Sequence, residues 1–248
     1  LEEFHNVIKL TDENETLREK REIVLDKLRA ELPKLFEDCD EQPPTFTTFN
    51  RGSYAMHTGI APIHGDYDID VGIIFDICKD DYPDPVTVKG WVYGALKDHT
   101  DEVIIKQPCI TVQYHLAEEP IYHVDLAVYA HENYLCDSLY LARGKPYSIS
   151  ENRVWEPAAP KELLDLISHY SEDSENRSQF RRVIRYLKRW KDLKFPSDGN
   201  AAPIGIGITV AAYRWFEPKY HLIDTFQNKR RYDDLSALSE FVDAMLQR

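Results

Sequence analysis

The most informative shortage in this sequence of 248 residues is that of positive charge. The chain holds 30 Lys and Arg residues against 43 Asp and Glu residues, for a formal net charge of −13. Proteins that bind duplexes or long RNA through phosphate contacts need a basic surface that displaces counterions. The charge balance therefore argues against long nucleic acid as a main partner.

Several other features are missing from the sequence. No apolar run approaches the ~20 residues that a membrane-spanning helix needs, so no membrane association is predicted. The four cysteines are scattered without a CxxC pair, which favours reduced thiols and a cytoplasmic protein. The nine histidines form neither an HxH nor an HExxH pair, so a zinc site has little support.

The spacing of apolar residues divides the chain into an N-terminal helix, a central region of strands and a C-terminal helical half. The first helix is predicted to run from Thr11 or Asp12 to about Glu37. Strands are predicted at 45–50, 67–77, 108–115 and 121–130, with one helix near 87–98 between them. Further helices are predicted at 161–170, 176–193, 203–216 and 233–247. This order of elements predicts an α+β fold with a mixed sheet.

Three aspartates alternate with apolar residues where the second predicted strand begins: Asp66, Asp68 and Asp70. Alternate residues of a strand share a face, on which neighbouring side chains lie about 7 Å apart. Carboxylates this close repel one another in a pocket unless a cation lies between them, and Mg²⁺ binds carboxylates together with substrate phosphates. A strand with one solvated face would show the same alternation, so the strand alone leaves both interpretations open.

Two neighbouring features favour the metal site. Gly52 and Ser53 lie between a predicted strand and a predicted helix, in a turn whose backbone N–H groups and hydroxyl can hold a phosphate. Asp125 lies inside the apolar strand "YHVDLAVY", where a carboxylate is costly unless it is ion-paired or bound to a metal. Pairing of Asp125 with a basic residue is the alternative to metal binding.

A basic helix at 174–195 reverses the charge of the chain locally. Its apolar residues recur at helical spacing and predict a buried stripe that consists of Phe180, Val183, Ile184, Leu187, Trp190 and Leu193. Arg181, Arg185 and Lys188 share another face of the same helix. A solvated amphipathic helix explains this pattern, and so does a helix that offers cations to a triphosphate, a role suited to lysine.

Together these motifs resemble the core of the polymerase-β-like nucleotidyltransferases: a GS turn, an apolar-flanked DxD and a third acidic strand residue. The segments "GSYAMHTGI", "GDYDIDVG" and "RYLKRWKD" resemble, more narrowly, the bacterial cGAS/DncV-like nucleotidyltransferases, which make cyclic oligonucleotides in anti-phage signalling. The resemblance implies a nucleotidyltransferase core at 1–150, whose N-terminal helix packs across both lobes. It also implies a C-terminal helical lobe at 151–248.

The resemblance assigns roles to matching positions. It implies three catalytic carboxylates that hold two Mg²⁺ ions, for which Mn²⁺ can substitute: Asp68, Asp70 and Asp125. It implies contacts with the donor triphosphate from four further residues: Gly52, Ser53, Lys188 and Arg185. Asp66 is left outside the metal site.

The function that the resemblance implies is the condensation of nucleoside triphosphates into a cyclic dinucleotide such as cGAMP, or into a cyclic trinucleotide. That messenger would act on a separate effector, and regulatory protein partners are expected. A linear oligonucleotide synthetase and a transferase with another acceptor keep the same site and remain alternatives. A degenerate nucleotide sensor is the alternative that is not an enzyme. The identity of the bases stays open.

Overall fold

The computed structural model describes residues 1–10, 13–38, 41–63, 65–116, 119–195, 201–227 and 229–247. The chain forms two compact units. The sheet unit consists of Thr11–Gly52 and His64–Lys161, and the helical unit consists of Leu1–Leu10, Ser53–Ile63 and Glu162–Arg248. The predicted start of the first helix, at Thr11 or Asp12, lies outside the described residues.

The two units divide the chain differently from the predicted boundary at residue 150. Two short segments, Leu1–Leu10 and Ser53–Ile63, pack with the C-terminal segment. Residues 151–161 pack with the sheet unit instead. Each unit is therefore assembled from segments that are distant in sequence, which local patterns cannot reveal.

A mixed sheet of seven strands, counted over the described residues, forms the centre of the sheet unit. The strands are β1 (Phe46–Arg51), β2 (Tyr67–Cys78), β3 (Glu102–Ile105), β4 (Ile110–Leu116), β5 (Glu119–His131), β6 (Leu139–Arg143) and β7 (Val154–Ala158). Their order is β1-β2-β5-β4-β3, and β6 pairs with both β5 and β7. β2 and β5 are parallel, whereas the other pairs are antiparallel. The predicted mixed sheet is confirmed, but the short strands β3, β6 and β7 were not predicted.

Burial changes along the two central strands. The predicted inward face of β2 is confirmed, because Ile69, Val71, Ile73 and Phe75 are all buried. Further along, Ile74 of β2 and its neighbours in β5 and β6 bury the opposite face as well. The first residues of β2 and β5 keep a polar face that is not covered by apolar side chains, and Asp68, Asp70 and Asp125 lie there.

The helices of both units are α1 (Glu2–Ile8), α2 (Glu13–Glu31), α3 (Gly52–Ala55), α4 (Pro85–Leu96), α5 (Pro160–Ser168), α6 (Ser174–Lys194), α7 (Gly205–Trp215) and α8 (Asp234–Leu246). α2 packs on β2, β5 and α4 within the sheet unit. It ends at Glu31, earlier than predicted, and a 3₁₀ turn begins at Pro33, whose ring nitrogen cannot donate to the α-helical ladder. α4 begins at an Asp84 cap followed by Pro85.

The helical unit surrounds its own apolar core. α6, α7 and α8 contribute most of the buried residues, among them Phe180, Ile184 and Phe241. The predicted stripe of α6 is wrong at its end: Trp190 is 46% exposed and Leu193 is 64% exposed. The core residues of α6 stop at Leu187, and helical spacing alone does not tell where the packing partners end.

Two elements of the helical unit were not predicted: α1 and a hairpin of β8 (Tyr220–Asp224) and β9 (Lys229–Tyr232). Among the described residues, every helix is too short or too polar to serve as a transmembrane span.

Candidate functional site

A first row of polar side chains crosses four adjacent strands of the sheet unit. Asp70 of β2 is in register with Asp125 of the parallel strand β5. Arg51 of β1 lies opposite Asp70, and Thr111 of β4 lies opposite Asp125. The Thr111 hydroxyl is buried and donates a hydrogen bond to Asp125 Oδ1. Asp125 is therefore held by a hydroxyl rather than by the basic partner that the sequence left open.

A second row lies one pleat nearer the beginning of β2. Asp68 is in register with His123 of β5, which is in register with Gln113 of β4. His123 Nε2 lies 3.2 Å from Asp68 Oδ1, and His123 Nδ1 lies 2.7 Å from Asp66 Oδ1. Gln113 Nε2 donates to the same oxygen of Asp66 at 3.0 Å. A histidine thus bridges two of the three aspartates that alternate in the sequence.

One residue in each row has a pKa that differs from its value in water: Asp70 in the first row and His123 in the second. Burial, followed by the charge of Asp68, raises the pKa of Asp70 to about 7, although Arg51 opposes the shift. Burial lowers the pKa of His123, but the close carboxylate of Asp68, the hydrogen bond with Asp66 and the charge of Asp125 outweigh it and raise that pKa to about 9. Carboxylates crowded on one partly buried face account for both directions.

The residues of this face fit a divalent cation. Asp68, His123 and Asp125 each offer a ligand atom, and these atoms lie within 4.8 Å of one another. Asp68 Oδ1 is buried and makes no aligned hydrogen bond within the described part of the chain, so its contact with His123 is electrostatic. Carboxylate oxygens suit Mg²⁺ or Mn²⁺, whereas both nitrogens of His123 already face Asp66 and Asp68. A buried carboxylate oxygen without an aligned donor is the feature that a cation would satisfy.

Asp70 lies beside this cluster and against Gly52. Gly52 has a φ of +68°, a left-handed conformation that favours glycine. A Cβ atom at Gly52 would lie 1.7 Å from Asp70 Oδ2. The predicted GS turn is present at α3, where Gly52 ends the first segment of the sheet unit and Ser53 opens a segment of the helical unit. Only glycine allows the Asp70 carboxylate to lie this close to the turn.

The two predicted basic residues bind the chain that follows the GS turn. Lys188 is buried, and its Nζ donates to the carbonyl oxygen of Thr58 at 3.0 Å and to the Thr58 hydroxyl at 3.1 Å. Arg185 donates to the carbonyl oxygens of Gly59 at 3.2 Å and His57 at 2.6 Å. Burial, followed by the charges of neighbouring arginines, lowers the Arg185 pKa to about 10. Both residues lie in the helical unit, and their contact with a triphosphate stays a prediction.

His123 is the site residue for which sequence reasoning gave no role. Strand alternation in "HVDLAVY" already places His123 on the face of Asp125. The pairing of β2 with β5, which brings His123 opposite Asp68, is a tertiary fact that the sequence pattern does not contain.

Comparison with known proteins finds a family model that is similar to part of this chain. Residues 45–129 match the family model described as cyclic GMP-AMP synthase DncV-like, nucleotidyltransferase domain. The matched segment contains the three predicted catalytic carboxylates and both residues of the GS turn.

A longer relative is a cyclic GMP-AMP synthase of Escherichia albertii. It is 26% identical over 199 residues, which are 78% of this chain and 42% of that enzyme. The chain therefore spans less than half the length of that relative.

Solved structures share the fold. Vibrio cholerae DncV in its apo form has a TM-score of 0.69 at 17% identity, over 99% of this chain and 74% of that chain. The same protein with the linear intermediate 5′ pppA(3′,5′)pG has a TM-score of 0.69 at 19% identity, over 98% of this chain and 74% of that chain. CdnC of E. coli MS115-1 with ATP has a TM-score of 0.57 at 16% identity, over 85% of this chain and 62% of that chain. The predicted polymerase-β-like nucleotidyltransferase fold is confirmed.

Proposed function

We propose that this chain carries the catalytic centre of a metal-dependent nucleotidyltransferase that joins nucleoside triphosphates into a cyclic dinucleotide. The observation that carries the proposal is the arrangement of Asp68, Asp70 and Asp125 on two adjacent parallel strands within a DncV-like nucleotidyltransferase domain. A module that only binds nucleotide has no need of three crowded carboxylates, whose mutual repulsion opposes folding unless a cation is bound.

The roles of the residues follow from their positions. Asp68, Asp70 and Asp125 would hold the metal, and Mg²⁺ or Mn²⁺ would neutralise the triphosphate and acidify the attacking hydroxyl. Thr111 orients Asp125 by its hydrogen bond. We infer that Asp125 accepts the proton of a ribose hydroxyl while that oxygen attacks the α-phosphorus. The bond from the α-phosphorus to the bridging oxygen breaks, and pyrophosphate leaves.

Gly52, Ser53, Lys188 and Arg185 would bind the donor triphosphate. The positive charge of the two basic side chains suits a polyphosphate, and the backbone of the GS turn offers N–H donors. This part of the proposal rests on the resemblance and on the chain connection from Gly52, beside Asp70, to Ser53.

ATP and GTP are the substrates that the relatives suggest. A Vibrio cholerae DncV structure holds ATP and GTP, and another holds a linear intermediate of A and G. We propose that this chain joins the same pair and that a second transfer at the same centre closes the ring. The cyclic product would then act on a separate effector in anti-phage signalling, in the cytoplasm and under the control of regulatory proteins.

The test is synthesis from labelled triphosphates. The chain is incubated with Mg²⁺ or Mn²⁺ in three reactions, which contain α-³²P-labelled ATP alone, α-³²P-labelled GTP alone, or both nucleotides. The products are then treated with phosphatase. A phosphatase-resistant product that needs both nucleotides is expected. It should be absent with Asp68→Asn/Asp70→Asn and present with Asp76→Asn, which removes the charge of an exposed carboxylate on the same strand.

Other results would point elsewhere. A phosphatase-sensitive product would indicate a linear synthetase, and a label on a further acceptor would indicate a different transferase. Nucleotide binding without any product would favour the sensor. Full activity of the doubly substituted variant would refute the role of the carboxylates.

A further inference from the structure

Asp66 lies at the margin of the carboxylate cluster, outside the residues that the DxD motif covers. We propose that Asp66 acts through His123 to position Asp68, and that this relay sets the affinity of the cluster for its divalent cation. The inference rests on the proposed function, because it assumes that the cluster binds a metal.

The backbone before β2 places Asp66 for this contact. Gly65 and Asp66 both have positive φ, of +86° and +63°. Such a conformation is uncommon for a residue other than glycine, and Asp and Asn adopt it more readily than other side chains. Asp66 Oδ1 consequently faces the ring of His123, at 2.7 Å from Nδ1. Asp66→Asn keeps the backbone preference and removes only the charge and one acceptor oxygen.

The His123 ring is fixed at both nitrogens. Its side chain is only 15% exposed, and Nδ1 and Nε2 face Asp66 and Asp68 respectively. Gln113 fixes Asp66 in turn, because its Nε2 donates both to Asp66 Oδ1 at 3.0 Å and to the Tyr122 carbonyl oxygen at 3.2 Å. An imidazole held at one nitrogen by a carboxylate presents the other nitrogen in one direction.

Asp68 depends on this ring for its orientation. Its Oδ1 is buried and has no aligned hydrogen bond among the described residues, and His123 Nε2 at 3.2 Å is its ion-pair partner. Asp70 and Asp125 repel the Asp68 carboxylate, so without His123 it would rotate away from them. Groups that orient metal ligands in this way typically change metal affinity by about 10- to 100-fold.

The experiment measures binding of Mn²⁺ to the whole chain without nucleotide, by electron paramagnetic resonance of the free ion. The variants are Asp66→Asn, His123→Gln, their combination, and Asp68→Asn as the reference that removes a ligand. His123→Gln breaks the link to Asp66 while its amide nitrogen still reaches toward Asp68. Asp76→Asn is the control, since it removes one carboxylate of the same strand, about 20 to 26 Å along the strand from Asp70 and Asp68. Circular dichroism verifies that each variant is folded.

We expect Asp66→Asn to weaken Mn²⁺ binding about 10-fold, and Asp76→Asn to leave it unchanged. In the His123→Gln background, Asp66→Asn should have no further effect, because the relay is already broken. Additive effects would mean that Asp66 acts through its charge alone and would overturn the relay.

The two proposals fail in different ways. If Asp68→Asn binds Mn²⁺ like the unmodified chain, the cluster is not the metal site and the proposed function fails. If Asp68→Asn loses binding but folded Asp66→Asn does not, only the relay is refuted.

Discussion

Replacement of Gly52 by alanine tests whether the position of the Asp70 carboxylate depends on its close contact with the GS turn. The new Cβ would lie 1.7 Å from Asp70 Oδ2, 2.5 Å from its Cγ and 2.9 Å from its Cβ. Contacts this short cannot be tolerated, so the Asp70 side chain must rotate and β1 must shift away from β2. The Asp70 carboxylate would then move away from its place beside Asp125 on the neighbouring strand.

The cost of this substitution has two parts. A left-handed conformation, such as the φ of +68° at Gly52, costs an alanine ~1–2 kcal/mol. Overpacking against a side chain that cannot move freely adds ~1–3 kcal/mol. We therefore expect a loss of ~2–5 kcal/mol in the free energy of unfolding, together with at least a 100-fold loss of nucleotidyl transfer, ~2.7 kcal/mol in activation free energy.

Urea unfolding and the synthesis assay measure the two effects. In an Asp70→Ala background the carboxylate is gone but the 2.9 Å contact with Cβ remains, so the stability cost of Gly52→Ala should fall towards, without reaching, the conformational part of ~1–2 kcal/mol. Gly90→Ala on α4 is the matched control, because a Cβ there meets nothing within 4 Å and the change should stabilise the helix by ~0.5–1 kcal/mol. An equal cost of Gly52→Ala in both backgrounds, or unchanged activity, would refute the reasoning.

Three further predictions concern single residues. Thr111→Val leaves Asp125 Oδ1 without its donor and should cost ~1–3 kcal/mol in urea unfolding while weakening Mn²⁺ binding; unchanged binding would show that the hydroxyl does not orient Asp125. Burial and then nearby arginines lower the pKa of His5 to about 4, so the unfolded chain binds that proton more tightly, and the stability from this group is lost as the pH falls from 6.5 towards 4. Since the side chain of His5 is only partly buried, we expect a loss of ~1–2 kcal/mol in the free energy of unfolding between pH 7 and pH 4.5. His5→Gln should remove that part of the pH dependence, and an identical dependence in the variant would contradict it. Lys188→Met should raise the KM for the donor triphosphate ~10-fold more than Lys191→Met on the same helix, and equal effects would argue against a contact between Lys188 and phosphate.

The periodicity of the sequence was sufficient for the central strands. Apolar residues at every second position of β2 predicted its buried face, and Ile69 to Phe75 are buried as expected. Periodicity also found α6 and α7, because long amphipathic helices repeat their pattern over several turns. It did not reveal β3, β6 and β7, of four or five residues each, in which too few positions alternate to form a pattern.

The sequence likewise predicted which aspartates form the site, but it did not predict which residues they contact. Asp68, Asp70 and Asp125 were predicted by their spacing in apolar strands and by resemblance to a family. The aspartate that seemed peripheral, Asp66, is joined to Asp68 by His123, a residue to which the sequence gave no role.

The sequence by itself thus determined which faces are apolar and which side chains can bind a cation, because these depend on residue type and local spacing. Only the tertiary structure decided that β2 pairs in parallel with β5, with Asp70 opposite Asp125 and Asp68 opposite His123. That register joins residues more than fifty positions apart in the sequence, and it is selected by the burial of both strands in a common core.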